Sequence, residues 1–162
     1  MAVIGFDPGV HGAIALLSDD GQLLEIHDMP ETEERSGRHA TNAPLLASII
    51  VQLHARVAFC EFVASRPSDA KIAAFAFGRS RGVIEGVCAA YDLPLVFITA
   101  PVWKRLAGVP PGQEHKDVAR TKAIARWPAM AGWFKLKTKC DRADAALIAA
   151  AGLQLEKIKQ AA

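Results

Sequence analysis

A single α/β domain built on a mixed β-sheet is what this sequence predicts, and three observations carry the prediction. The chain opens with three apolar segments separated by turn residues, then alternates helix-spaced and strand-like stretches, and closes on a long Ala-rich helical segment. Antiparallel hairpins followed by alternating helices and strands make a mixed sheet with helices on both faces. The 162 residues (1–162) suffice for one substantial core, so one domain is expected. A hydrophobic share of 51% against 22% charged residues excludes a disordered chain.

Ala2–Asp7 is an apolar run that ends in an acid and meets Pro8-Gly9, which reads as a buried strand entering a turn. Residues 12–17 form a second strand, Asp19-Asp20-Gly21 a hairpin turn, and residues 22–29 a third strand pairing back on the second. The polar stretch 31–41 is expected to be a mobile loop. Thr41 or Asn42 can cap a helix over 44–54, where Pro44 is tolerated in the first turn. Residues 57–63 read as another buried strand, interrupted by Glu61. Arg66-Pro67-Ser68 breaks the chain, and 69–91 has helical spacing. Its Gly78, Gly82, Gly86 and Ala89-Ala90 suit close helix packing, within the protomer or across a dimer. Leu95–Thr99 is a further strand. A short helix over 101–108 is stopped by Pro110-Pro111-Gly112, and a basic amphipathic helix follows over 114–126. Residues 127–139 are irregular, aromatic and basic, and 141–157 form the closing helix.

Net charge is only +2, but residues 1–100 carry 7 Lys/Arg against 12 Asp/Glu and residues 101–162 carry 12 against 5. That asymmetry predicts one basic face suited to a polyanion. Cys60, Cys88 and Cys140 are odd in number and lack CxxC spacing, so buried free thiols are expected rather than a disulfide framework or zinc site. The longest early apolar run is far shorter than a membrane span, and no basic leader precedes it; a cytoplasmic protein without membrane contact is expected.

Four acids stand in apolar surroundings: Asp7 at the end of the first strand, Glu61 inside the 57–63 strand, and Asp141 and Asp144 at the start of the last helix. Burying ionised carboxylates costs several kcal/mol unless a counter-charge compensates. Asp141 and Asp144, three apart, share a helix face. With no fixed cation nearby in sequence, the expected partner is a divalent metal ion, and hard oxygen ligands favour Mg²⁺ or Mn²⁺ over zinc. Singly, Asp7 could shape a turn, Asp141 could cap the helix and Asp144 could favour its dipole. Glu61 is harder to dismiss, because Glu is rare within an apolar strand.

Ile4-Gly5-Phe6-Asp7-Pro8-Gly9 resembles the first motif of RuvC-type Holliday junction resolvases, and Cys60-Glu61-Phe62-Val63 resembles their glutamate-bearing strand. Arg79-Ser80-Arg81-Gly82 resembles the start of their central helix. Pro101-Val102-Trp103-Lys104, with Lys116 after a Gly-containing loop, resembles their basic substrate-facing segment, and Asp141-Arg142-Ala143-Asp144-Ala145-Ala146-Leu147 resembles their terminal acidic helix. The resemblance implies an RNase H-like fold, a homodimer, and Mg²⁺-dependent hydrolysis at symmetric positions of a four-way DNA junction. Asp7, Glu61, Asp141 and Asp144 would then be catalytic metal ligands for two ions, with Mn²⁺ substituting.

Lys104, Lys116, Arg120 and Lys122 lie between the last strand and the acidic helix, and phosphate positioning is their expected role. Phe62 is the candidate for an aromatic wedge at a junction centre, although a strand phenylalanine is more often core. Trp133 and Phe134 could stack on a base or pack inside. Rival readings are an RNase H-like nuclease for RNA, hybrids or branched DNA of broad type, and a junction binder that does not cut. Half of a sugar-kinase or actin-like ATPase is a further rival, since an opening Gly-x-Asp-x-Gly also begins their phosphate loop, but those proteins need two such domains and 162 residues are too few for that expectation.

Overall fold

In a computed structural model, residues 1–64, 70–110 and 116–161 are described, the Lys116 side chain excepted. Three strands form the opening meander: β1 (Ala2–Asp7), β2 (Ala13–Ser18) and β3 (Leu23–Asp28). The turn between β2 and β3 closes where the Gly21 N–H donates to the Ser18 carbonyl at 2.8 Å. β4 (Glu31–Glu33) and β5 (His39–Thr41) pair as a separate antiparallel ribbon, followed by α1 (Ala43–Leu53) and β6 (Val57–Phe62). The chain continues through α2 (Lys71–Ala90), β7 (Leu95–Thr99), α3 (Ala100–Ala107), α4 (Lys116–Arg126) and α5 (Asp141–Gln160).

The main sheet has the order β3-β2-β1-β6-β7, antiparallel across β3, β2 and β1 and parallel from β1 through β6 to β7. Side chains alternate between its faces. Val3, Val57 and Phe59 join α5 in one core, while Ile4, Phe6, Ala58 and Cys60 pack with α1 and α2 in the other. The α5 core is unusually close. A Cβ on Gly152 would come 2.2 Å from the Phe59 ring, and one on Gly5 would come 2.1 Å from the Ala145 carbonyl oxygen. Only hydrogen fits at either contact.

Several expectations change. The predicted loop over 31–41 is the β4–β5 ribbon, because the register Glu31↔Thr41 lets its backbone pair within itself. Thr41 Oγ1 and Ser80 Oγ, 2.8 Å apart, join the ribbon to α2. The cap of α1 is Asn42, whose side chain accepts from the Leu45 N–H at 3.1 Å. The irregular 127–139 segment contains the 3₁₀ turns Pro128–Phe134 and Lys137–Lys139. α3 stops at a left-handed Gly108, before the prolines expected to end it. The break at 66–68, Pro111-Gly112 and the helix start at 114 lie outside the described residues. None of the three cysteines is in a disulfide; Cys60 and Cys88 are buried and Cys140 is half-buried.

Candidate active site

Strand parity brings the acids together. Residues 3, 5 and 7 of β1 and 57, 59 and 61 of β6 alternate onto the α5 face. The parallel register sets Phe6 opposite Cys60, so Asp7 and Glu61 lie one residue further on, side by side at the carboxyl ends of neighbouring strands. The first turn of α5 carries Asp141 and Asp144, where negative charge also suits the helix dipole. α3, leaving β7, contributes Trp103 and Lys104. All four carboxylates, Trp103 and Lys104 line one cavity of about 970 Å³.

Burial and the neighbouring carboxylates raise the proton affinity of Asp7. Protein surrounds the Asp7 carboxyl even though the residue still reaches the cavity. Burial holds its pKa well above the usual 3.8, and the charges of Asp144, Asp141 and Glu61 push it further up. The Lys104 ammonium pulls it down only as the smallest contribution. Glu61 is also raised by burial, while Trp103 and Lys104 favour its ionised form. The fully buried Trp103 indole approaches Glu61 without completing a hydrogen bond within normal geometry. The result is a pocket into which four carboxylates bring their negative charge together.

By donor chemistry, hard carboxylate oxygens gathered on one cavity fit a hard divalent cation. Among the described residues, no three His, Cys, Asp or Glu close into a tight metal cage. The four acids therefore share a cavity wall in this conformation, and their side chains would have to draw inward around a cation.

The predicted DNA contacts divide. Lys104 is in the cavity. Arg120 is engaged elsewhere: its Nε donates to Asp117 at 3.2 Å and its Nη1 to the Phe134 carbonyl at 3.4 Å. Lys122 is exposed on α4 and reaches toward Gly108. The Lys116 side chain lies outside the described residues. Phe62 is not core but 40% exposed, because its parity points it away from α5 at the end of β6. It meets Phe97 edge-on at 6.0 Å. Phe134 is fully buried against Trp127, whereas Trp133 is 40% exposed. Sequence reasoning assigned no role to Arg81. It lines the same cavity, lies over the Phe62 and Phe97 rings at 4.7 and 4.4 Å, and donates to Glu85 at 2.6 Å. Its place four residues before Glu85 in the Arg79-Ser80-Arg81 stretch was the available signal.

The sheet order, the antiparallel meander and the terminal helix across it define an RNase H-like α/β fold. Two solved structures share it along nearly the whole chain. Thermus thermophilus RuvC in complex with Holliday junction substrate is similar at a TM-score of 0.65 and 16% identity, over 97% of this chain and 96% of that one. A second structure of Thermus thermophilus RuvC gives 0.65 and 18%, with the same coverage. No family model and no curated protein matches the sequence.

Proposed function

We propose that this protein is a divalent-metal-dependent endonuclease that cuts branched DNA, with the four-way junction as its preferred substrate, and works as a homodimer. One observation carries the reading: four carboxylates from β1, β6 and α5 line a single cavity, and the other three push the Asp7 carboxyl further above its ordinary range. A binder that never cuts would lose affinity by turning such a surface toward phosphates. The likeness to a junction-bound RuvC supports the choice of substrate.

Asp7, Glu61, Asp141 and Asp144 would hold Mg²⁺, or Mn²⁺ in its place. Two such ions supply activation of a water and stabilisation of the leaving oxygen during in-line displacement. The chain's own groups then orient the DNA. Lys104 offers an ammonium beside Asp7 and Glu61, and Arg81, with its Nε on Glu85, offers its outer guanidinium nitrogens to the same cavity. Both positions suit non-bridging phosphate oxygens. A two-fold junction with two strands to cut calls for a two-fold enzyme.

The test compares four-way, flap, duplex and RNA–DNA hybrid substrates with wild type and Asp7→Asn in Mg²⁺. Cutting of the four-way junction is expected to be lost in Asp7→Asn while binding is kept or tightened, since one repelling charge is gone. Wild-type cleavage by Asp7→Asn would remove the site assignment. Preference for the hybrid would move the protein to the rival substrate class.

A further inference from the structure

Asp28 closes β3 and pairs in register with Ala13, which itself pairs with Asp7. Cross-strand partners face the same side of a sheet, so Asp28, Ala13, Asp7 and Glu61 form one row beneath the head of α5. The row carries two different devices. At Asp7 and Glu61 the acids face the cavity; at Asp28 the charge is already matched. Arg142 Nε donates to Asp28 Oδ1 at 2.7 Å and its Nη2 to Oδ2 at 2.9 Å, while Lys139 Nζ is 3.0 Å from Oδ2. Arg142 also donates from Nη1 to the Trp133 carbonyl at 3.3 Å, with its guanidinium 5.7 Å from the Trp133 ring centre.

We infer that Asp28, acting through Arg142, is a positioning residue that sets the rotation of the first turn of α5 and so aims Asp141 and Asp144 at the cavity. Each residue turns a helix by roughly 100°, so Arg142 leaves α5 on the flank away from Asp144. A two-point carboxylate–guanidinium contact fixes orientation as well as distance. Four like charges around one cavity favour a rotation that spreads them apart. A clamp on the opposite flank resists that rotation.

This inference rests on the proposed metal site for its consequence, but not for its detection. The experiment uses the full-length protein, with Asp28→Ala, Arg142→Ala, their combination, and Asp28→Glu. Mn²⁺ binding is read by electron paramagnetic resonance without DNA, and backbone amide exchange is followed over residues 143–146. Asp28→Ala is expected to weaken Mn²⁺ binding roughly tenfold, the lower end of what losing an orienting partner does. It should speed exchange over 143–146 and leave β6 unchanged. Arg142→Ala should match it, the combination should add nothing further, and Asp28→Glu should recover most of the loss. Unchanged exchange over 143–146 in Asp28→Ala overturns the inference, as does a combined variant whose effects simply add. A wild-type protein that binds no Mn²⁺ would instead sink the proposed function, and the exchange comparison would still decide the role of Asp28.

Discussion

α2 and α5 are both twenty-residue helices rich in Ala and Gly, and the fold uses them in opposite ways. α5 buries a continuous run from Ala145 to Leu153 between the sheet on one side and α3 and α4 on the other, with Gly152 seated under the Phe59 ring. α2 buries only Ser80, Ile84, Val87 and Cys88. Space is open around the Cβ positions of Gly78, Gly82 and Gly86, and Ile72 and Phe75 are 61% and 73% exposed. Small residues mark close approach only where the chain supplies a surface to approach. On α5 that surface is the sheet together with α3 and α4; on α2 it is absent from the described protomer, which leaves the stripe available to the second copy in the proposed dimer.

The sharpest way to break this comparison is to add one methyl group to each helix system. Gly152→Ala and Gly5→Ala should each cost about 3 kcal/mol, because the new carbon meets a ring or a backbone oxygen that cannot retreat. Gly82→Ala meets nothing and should hold or gain about 0.5–1 kcal/mol from helix propensity. Urea unfolding of the three variants decides it. A Gly152→Ala protein as stable as wild type would mean that α5 does not sit this close to the sheet.

The same contrast shows what was legible in the sequence. The mixed sheet was readable because β1, β2 and β3 are apolar runs divided by Gly and Asp turns, and their residues satisfy backbone and burial locally. The convergence of Asp7, Glu61, Asp141 and Asp144 was readable because an acid inside an apolar segment has few reasons to be there. Whether the glycines of α2 faced inward or outward was not readable, since helical spacing records a face and not its partner. The β4–β5 ribbon was missed because its strands of three residues are polar, and their pairing depends on each other and on α2. Arg81 was missed for a related reason: its ring partners come from β6 and β7, distant in sequence.

Two aspartates on the α5 face of the sheet extend the comparison to pH. The folded pKa of Asp7 is raised above 3.8, so the fold binds this proton more tightly than the unfolded chain does. Stability therefore falls as pH rises from about that value through the raised pKa. Asp7→Asn should raise Tm at neutral pH, with the gain shrinking as pH falls below 4. Asp28 behaves oppositely, because Arg142 and then Lys139 hold its pKa down to about 2. Its contribution is complete above the ordinary 3.8 and is lost as pH falls toward about 2, so Asp28→Asn should lower Tm at neutral pH and converge on wild type in acid. Thermal melts across pH that show both variants shifting Tm in one direction would contradict the assignment of one carboxylate to an acidic cavity and the other to an ion pair.

A smaller effect is expected where α2 meets its proposed partner. Gly82→Leu places a bulky side chain in open space, so the isolated protomer should keep its fold. Association should weaken by at least about tenfold, a change of roughly 1.4 kcal/mol. Sedimentation at several micromolar concentrations would report it. A Gly82→Leu protein as dimeric as wild type moves the interface off this stripe.

The smallest effect separates charges that are engaged inside the protomer from those reserved for DNA. Arg120 is held by Asp117 and the Phe134 carbonyl, so releasing it to a phosphate would forfeit contacts already made. Arg120→Ala should therefore leave the salt dependence of DNA binding nearly unchanged and register mainly as lost stability around the 128–134 turn. Lys116, at the first position of α4 and in the basic stretch after β7, is the contrasting case. If it serves one phosphate, Lys116→Ala should weaken binding to every DNA tested and flatten the slope of log K against log salt by roughly 0.9. Preference between four-way and duplex DNA should barely move, because a phosphate contact carries no sequence or branch information by itself. Titrations of both DNAs at several salt concentrations separate the two residues. An unchanged slope for Lys116→Ala on both substrates would take it off the DNA backbone, and a flattened slope for Arg120→Ala would mean that its protomer contacts give way to phosphate on binding.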